Sequence, residues 1–407
     1  MKMDRVNNRG RRALGHAAIR TDSYLDGQVL PYLGNKRKLL PMIREAITRT
    51  GVTGGTFIDS FSGTTIVGRL AKTLGFRVIA NDWEPYAQEL ARCFIACNAP
   101  PAFDRLGGMA RVFAHLDGLP PREDWVALHL CPADDDAADP SRDRMFFTRA
   151  NGMRIDAVRE EIAGWERRGL LTPAERACIL GPLIPAVSYV SNTNAIFKAY
   201  HHGWGGSKGT ALERIRGRLP ITPPVLFDNG LGNEAHGLDA QKLAEELRSR
   251  RVRAQIAYLD MPYNQHAYAS NYHVLNSLVL WDKPPLPRQH SPGNKAAIRA
   301  DWTQRRSPYN GKGALAAYQR LLESLDADFI LTSYSTDGKI PLLGLLEAAA
   351  ERGALSAVQK LYPRYLHSAT RPSEKPYTTE FVLIVDTSAP CRPGTVSAIE
   401  EELTRDK

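Results

Sequence analysis

One short apolar run that stops at an acidic residue constrains the fold most. The run from Ile256 to Leu259 lacks polar/apolar alternation, as is typical of a parallel strand that is covered on both faces. It is followed directly by Asp260, Met261, Pro262 and Tyr263. Ligands of open α/β sheets bind at the carboxyl ends of the strands. The sequence therefore predicts an α/β protein with Asp260 at the mouth of a binding site.

A second pattern, earlier in the chain, predicts the other half of that site. Residues 56–59 form an apolar strand that ends in Asp59, and Gly63 allows a tight turn before a helix from Ile66 to Leu74. A further short strand, residues 76–80, is followed by Asp82. A carboxylate after the second strand can accept hydrogen bonds from ribose hydroxyls. The pattern favours a nucleoside-containing cofactor.

The four residues from Asp260 to Tyr263 resemble the Asp-Pro-Pro-Tyr motif of the amino-methyltransferases. The order of motifs over residues 30–386 resembles the alpha class of DNA adenine methyltransferases, also called the D12 class. The resemblance implies a Rossmann-like class I S-adenosylmethionine-dependent methyltransferase sheet with a mainly helical inserted target-recognition region. It implies methyl transfer from S-adenosylmethionine to the 6-amino group of adenine in double-stranded DNA.

That chemistry explains the residue types in the catalytic motif. The amine of adenine is a poor nucleophile, so fixed acceptors must hold both of its hydrogens in a dry site. Asp260 can accept one hydrogen, and the main-chain oxygen of Met261 can accept the other. Pro262 completes the turn, and Tyr263 offers a face on which an extruded base can stack. Met261 replaces the family's first proline and loses its stiffness, so we expect weakened activity.

The resemblance also assigns the cofactor-binding residues. The segment before the glycine turn, by likeness to the family, encloses the methionine part of the cofactor, and Asp59 pairs with the ammonium. Thr65 replaces the second glycine of the family's Phe-X-Gly-X-Gly loop. Asp239 matches a position that contacts the adenine ring, although a helix N-cap needs the same residue type. The assigned residues are Tyr32, Gly34, Lys36, Asp59, Phe61, Gly63, Asp82 and Asp239.

A region of different character separates the two halves of the predicted sheet. Residues 100–233 contain Pro-rich and acidic loops and a convincing amphipathic helix over 151–168. This region resembles the family's target-recognition insertion. The residues expected to contact DNA lie there and just after the catalytic motif: Asn192, Lys198, Asn264, Gln265 and His266.

Net charge, cysteine spacing and the length of apolar runs indicate the kind of partner and the cellular compartment. A formal net charge of +9 favours an anionic partner, and nucleic acid is the expected one. The five cysteines have no zinc-site spacing, so no metal is expected, and they indicate a reducing compartment. No apolar run reaches the roughly 18 residues of a membrane span. We expect a cytoplasmic, nucleoid-associated protein.

The predicted organisation is a basic disordered tail (1–23), a cofactor-binding half (24–99), a helical insertion (100–233), a catalytic half (234–388) and a C-terminal tail (389–407). The expected role is in a restriction-modification or defence system, with a cognate restriction endonuclease as a partner. Two alternatives stay open at this point. One is transfer to the 4-amino group of cytosine, and the other is a catalytically weakened DNA-binding or sensor protein.

Overall fold

A computed structural model describes residues 22–405, except 33, 207–208, 264–266, 288–289, 291–292 and 364–376. Its centre is a sheet of seven strands: β1 (Gly55–Asp59), β2 (Phe76–Asn81), β3 (Glu234–His236), β4 (Ala254–Leu259), β5 (Ala327–Ser335), β6 (Ala354–Pro363) and β7 (Tyr377–Asp386). The predicted α/β class is confirmed. Most of the predicted disordered tail, residues 1–21, lies outside the described residues.

The strand order in the sheet is β3-β2-β1-β4-β5-β7-β6. Strands β3, β2, β1, β4 and β5 pair in parallel, and β7 pairs antiparallel with both β5 and β6. Asp59, at the end of β1, lies in register with Tyr258 on β4 and Ala80 on β2. The strands on the two sides of the β1–β4 pair are added in opposite directions, so the strand order reverses there. Ligands are therefore expected at the carboxyl ends of these two strands.

Helices cover both faces of the sheet and form the region between β2 and β3. They are α1 (Leu40–Arg49), α2 (Ile66–Thr73), α3 (Pro85–Ala91), α4 (Met109–Asp117), α5 (Trp125–His129), α6 (Arg149–Arg167), α7 (Pro173–Tyr189), α8 (Leu212–Arg216), α9 (Ala240–Ser249), α10 (Tyr268–Asn271), α11 (His273–Leu280), α12 (Ala314–Ser324), α13 (Leu342–Ala350) and α14 (Thr395–Thr404). A π-helical turn, Arg92–Ala96, continues α3, and 3-10 turns span Lys36–Leu39, Asp104–Leu106, Ala300–Arg305 and Pro308–Asn310. Every helix in the described residues is too short or too polar to span a bilayer.

Neighbouring residues of the central strands enter different cores, which explains their unbroken apolar sequence. Phe57 and Tyr258 pack with α1 and α2 on one face of the sheet. Ile58 and Leu259 pack with α9, α12 and α13 on the other face. Strands buried on both faces lose the alternation that marks a half-exposed strand.

The described residues between 100 and 233 are helical or irregular, as the sequence predicts. The predicted helix over 151–168 is confirmed as α6, whose N-cap Thr148 accepts a hydrogen bond from the Asn151 amide. Helix α7 begins with a full capping box, in which Thr172 and Glu175 satisfy each other's backbone amides. The region shares one hydrophobic cluster with α3 and α11, so it packs continuously onto the sheet domain.

The sequence patterns do not predict two elements in the last third of the chain. Strand β6 lies at the edge of the sheet. Polar residues such as Ser356 and Gln359 interrupt its apolar sequence, so the sequence does not mark it as a strand. The predicted C-terminal tail contains α14, which buries Ile399 and Leu403 against the sheet domain. With only two buried positions, its apolar stripe is too short to recognise as a helix.

Candidate active site

A cleft with about 950 Å³ of empty space opens at the carboxyl ends of β1, β2 and β4. All eight residues assigned to cofactor binding line it, together with three of the four catalytic-motif residues: Tyr32, Gly34, Lys36, Asp59, Phe61, Gly63, Asp82, Asp239, Asp260, Pro262 and Tyr263. These residues come from distant parts of the sequence. The strand order brings them together because the ends of adjacent parallel strands meet at one edge.

The turn between β1 and α2 forms one wall of the cleft. Gly63 adopts a left-handed conformation, with φ of +45°. Thr65, the residue in place of the family's second glycine, is also left-handed with φ of +67°, which is a strained conformation for a β-branched residue. Its hydroxyl accepts a hydrogen bond of 3.0 Å from Nε of the fully buried Arg69. That bond offsets the strain.

Asp82 fixes the turn after β2 to the glycine turn. Its Oδ2 accepts a hydrogen bond of 2.9 Å from the Gly63 amide, and its Oδ1 accepts one of 2.9 Å from the Glu84 amide. Burial raises the pKa of Asp82 to about 6, and the two amides oppose that rise. Both carboxylate oxygens are therefore held in place at the edge of the cleft.

Asp59 is the most strongly perturbed acid of the site. Burial, followed by the nearby charges of Asp260 and Asp82, raises the pKa of its carboxyl to about 8. The amides of Gly68 and Phe61 lie close enough to oppose that rise. Within the described residues, neither carboxylate oxygen has a hydrogen-bond partner. A buried acceptor without a partner is costly, so the site suits a cationic ligand.

Lys36 and Asp260 form a buried ion pair. Nζ of Lys36 lies 3.1 Å from Oδ1 of Asp260, and only 3% of the lysine side chain is exposed. Burial lowers the pKa of Lys36, but Asp260, Tyr263 and Glu380 outweigh that effect and hold it well above its usual range. Burial raises the pKa of Asp260, and Lys36 opposes the rise. The lysine thereby favours the carboxylate form of the acid.

Three residues of the catalytic motif line the cleft, and the side chain of the fourth, Met261, lies in the hydrophobic core. The Met261 side chain is fully buried in the cluster that contains Leu259 and Tyr334. Tyr263 lines the cleft, with its ring edge-to-face on Tyr334 at 5.5 Å between centroids. Its carbonyl oxygen accepts a hydrogen bond of 3.0 Å from the Lys339 amide. The Tyr334 contact thus fixes the ring of Tyr263, and the Lys339 amide fixes its backbone.

Tyr32 belongs to a stack of tyrosine rings beside the glycine turn. Its ring lies 4.4 Å from Tyr272 and 5.4 Å from Tyr268 between centroids, and both pairs are nearly parallel. Its hydroxyl lies 2.9 Å from that of Tyr86. Gly34 has φ of +79°, a left-handed conformation that favours glycine, and it lies close to the hydroxyls of Tyr263 and Tyr268. The stack gives the cleft a rigid aromatic wall.

Asp239 caps a helix and also lines the cleft. It is the N-cap of α9, and its side chain accepts a hydrogen bond of 2.9 Å from the Gln241 amide. It also lines the cleft beside Leu238.

The residues predicted to contact DNA lie apart from this cleft or outside the described residues. Asn192 is fully buried, and its amide donates to the carbonyl oxygens of Met145 and His201. Its side chain holds a loop and does not face solvent. Lys198 is exposed on the surface of the helical region. Asn264, Gln265 and His266 lie outside the described residues.

Several residues of the site are missed by sequence reasoning. Arg305 and Tyr309 line the cleft from segments without a recognisable motif, and Tyr268 lines it from the segment after the catalytic motif, where a role is predicted only for polar residues. Glu84, expected to be solvated or to cap the following helix, is the N-cap of α3, but it is 2% exposed and accepts a hydrogen bond of 2.7 Å from Asn276. Glu380 lies on β7 beside Lys36. An acid at the head of the apolar run 381–385 was the one available signal for Glu380.

Several known proteins are similar in sequence to this chain. The family of D12 class N6 adenine-specific DNA methyltransferases matches residues 32–290. "Modification methylase StsI" of Streptococcus sanguinis is 27% identical over 360 residues, which cover 86% of this chain and 51% of that protein. "Type II methyltransferase M.NlaIII" of Neisseria lactamica is 29% identical over 340 residues, covering 82% and 92%. "Type II methyltransferase M.FokI" of Planomicrobium okeanokoites is 29% identical over 309 residues, covering 75% and 44%.

The chain spans about half the length of the first of these relatives, and less than half of the third. No solved structure shows significant similarity to it.

Proposed function

The chain belongs to the D12 class N6 adenine-specific DNA methyltransferase family, and on that premise we propose that it transfers a methyl group from S-adenosylmethionine to the 6-amino group of adenine at a specific site in DNA. The observation that carries the proposal is the meeting of Asp260 and Tyr263 with Asp59, Gly63 and Asp82 in one cleft. The mixed seven-stranded sheet is consistent with a class I S-adenosylmethionine-dependent methyltransferase.

The residues of the cleft fit the cofactor. The buried Asp59 carboxylate, which has no hydrogen-bond partner in the described part of the chain, suits the ammonium of S-adenosylmethionine. Asp82 lines the cleft, where ribose hydroxyls can donate to it, and Asp239, which also lines it, is the proposed contact of the adenine ring. Tyr32, Gly34, Lys36 and Phe61 complete the enclosure. The bound cofactor supplies an electrophilic methyl group on a sulfonium.

The other part of the cleft fits a base extruded from the duplex. Asp260 accepts one amine hydrogen, and the main-chain oxygen of Met261 accepts the other, so the nitrogen lone pair is aimed at the methyl group. Pro262 limits the backbone of the turn, and Tyr263 stacks on the purine. Asn264, Gln265, His266, Asn192 and Lys198 remain proposed DNA contacts. For Asn192 this requires that its loop rearrange, since its amide is engaged in the interior.

The names of the relatives support a place in a restriction-modification system. Modification methylases and type II methyltransferases are among the proteins that this chain matches. A cognate restriction endonuclease is the proposed partner, double-stranded DNA the proposed substrate, and the nucleoid the proposed location. The proposed chemistry requires no metal. Residues 100–233 are the proposed target-recognition region.

Sequencing of modified bases in genomic DNA tests the proposal. A host that lacks adenine methylation is made to produce the protein or its Asp260→Ala variant. We expect N6-methyladenine at one recurrent sequence motif with the wild-type chain and at none with the variant. Modification confined to cytosine, or none with an intact chain, overturns the proposal.

A further inference from the structure

Three charged groups and one aromatic ring meet beside the catalytic end of the cleft. Nζ of Lys36 lies 3.1 Å from Oδ1 of Asp260, 3.9 Å from Oε2 of Glu380, and 5.0 Å from the centre of the Tyr263 ring. The exposed fractions of the three charged side chains are 3%, 19% and 9%. One buried ammonium is thus shared unequally between two carboxylates.

The ion pair conflicts with the role of Asp260 in the proposed function, on which this inference rests. Asp260 has to accept a hydrogen from the substrate amine. Its Oδ1 is already within hydrogen-bond distance of an ammonium, which is the stronger donor. Withdrawal of the lysine frees that oxygen for the amine. A buried ammonium that leaves a carboxylate without gaining another acceptor is strongly unfavourable, so it needs a second acceptor nearby.

Glu380 has the properties of that second acceptor. It lies on β7, in register with Ser335 of β5 and Lys360 of β6, so its backbone is fixed on both sides. Its Oε2, the oxygen that faces Lys36, is buried and has no hydrogen-bond partner among the residues that the structure describes. Native proteins rarely leave such an oxygen unpaired without a reason. A lysine that moves toward it satisfies the oxygen.

We propose that Glu380 is a positioning residue for methyl transfer: its carboxylate receives the Lys36 ammonium when the substrate amine takes that ammonium's place at Asp260. The lysine favours the carboxylate form of Asp260 before the base arrives and moves less than 4 Å to Glu380 as the base enters. Glu380 itself contacts no reacting atom. No covalent bond changes in this step, and the charge of the cleft is unchanged.

The choice of substitution separates a charge role from a packing role. Glu380→Gln keeps the size of the side chain and removes its charge, whereas Glu380→Asp keeps the charge and shortens the side chain. A positioning role through charge predicts single-turnover transfer rates in the order wild type, Asp, Gln. A purely structural role predicts that Gln resembles the wild type and that Asp is the impaired variant.

The experiment measures single-turnover methyl transfer at saturating DNA and S-adenosylmethionine, with cofactor affinity measured separately. Glu380→Gln is expected to transfer about ten- to a hundredfold more slowly, because misplacement of a catalytic group has effects of that size, with cofactor affinity unchanged. Glu89→Gln is the matched control, since Glu89 is a buried, ion-paired glutamate outside the cleft. Its transfer rate is expected to equal that of the wild type.

Three outcomes overturn the inference while the proposed function stands: a wild-type rate in Glu380→Gln, the reversed order of the Asp and Gln variants, or a loss of rate matched by loss of cofactor affinity. Absence of transfer by the wild-type chain overturns the proposed function instead. If thermal denaturation shows Glu380→Gln to be unfolded, the substitution is tested in a Lys36→Met background, where no buried ammonium needs a partner. Glu380→Gln is then expected to cost no further rate relative to Lys36→Met alone, and an additional loss of rate overturns the inference.

Discussion

The backbone amide of Gly63 donates a hydrogen bond of 2.9 Å to Oδ2 of Asp82, and this bond joins the turn after β1 to the turn after β2. The same carboxylate accepts from the Glu84 amide through its other oxygen. Asp82 therefore shapes the cofactor wall of the cleft in addition to offering oxygens to a ribose.

Asp82→Ala should weaken cofactor binding more than it slows transfer. A hydrogen bond to a charged group contributes about 1.5–3 kcal/mol, so the loss of one ribose contact and of the turn should reduce affinity about tenfold to a hundredfold. Calorimetric titration with S-adenosylmethionine measures this. Asp228→Ala, an exposed turn residue, is the control. Equal affinities in Asp82→Ala and wild type would remove Asp82 from the cofactor site.

Cofactor binding should release a proton at neutral pH. The pKa of Asp59 is raised to about 8, chiefly by burial, so its carboxyl is mostly protonated at pH 7 in the free cleft. A bound ammonium favours the carboxylate, and affinity should therefore rise between pH 6 and pH 8 by at most about tenfold per pH unit. Titrations in two buffers of different ionisation enthalpy count the protons. The effect should vanish in Asp59→Asn, and pH-independent binding by the wild type would contradict it.

The same raised pKa values set the sign of the pH dependence of stability without cofactor. Asp59, Asp82 and Glu84 have folded pKa values of about 8, 6 and 7, above their ordinary values. The folded state therefore binds more protons than the unfolded state between about pH 4 and 8, and this contribution to the free energy of unfolding falls as pH rises. Denaturant unfolding at pH 6 and pH 8 should show the loss. It should be smaller in Asp59→Asn, and an equal loss in that variant argues against the Asp59 contribution.

Thr65 offers a test of how the chain tolerates a departure from its family. The left-handed conformation costs a non-glycine residue about 1–2 kcal/mol, whereas the hydroxyl bond to Arg69 contributes about 1.5–3 kcal/mol. Since the bond outweighs the strain, Thr65→Gly should lower the free energy of unfolding slightly. Thr65→Ala keeps the strain without the bond and should lower it more. Chemical denaturation ranks the variants, and a glycine variant more stable than the wild type would show that the Arg69 bond contributes little.

Met261→Pro should restore the stiffness of the catalytic turn and raise turnover at unchanged cofactor affinity. Because the Met261 side chain is fully buried, its replacement should also lower the free energy of unfolding by roughly 2 kcal/mol. Steady-state kinetics and thermal denaturation separate the two effects. An unchanged or lower rate in the folded variant counts against the role assigned to the missing proline.

The sequence predicts the local parts of this site well. Asp59, Asp82 and Asp260 each lie at the end of a short strand or directly after it, and the ends of adjacent parallel strands share one edge. The glycine turn is equally local, because its conformation depends on Gly63 itself. These features need only the residues beside them.

The long-range parts of the site could not be predicted in the same way. The Lys36–Asp260 pair and the approach of Glu380 depend on how the segment before α1 crosses the sheet toward β7. The burial of Glu84 depends on Asn276 of α11. No spacing within one segment records such contacts, because the partners lie far apart in the sequence.

The central claim is that Asp260 holds the amine of an adenine within reach of the cofactor's methyl group. The most direct measurement follows tritiated methyl groups into duplex DNA and identifies the labelled nucleoside, for the wild type and for Asp260→Ala at matched cofactor affinity. The account predicts label in N6-methyldeoxyadenosine with the wild type and a loss of at least about a hundredfold in the variant. Label in cytosine, or transfer by Asp260→Ala at the wild-type rate, would contradict it.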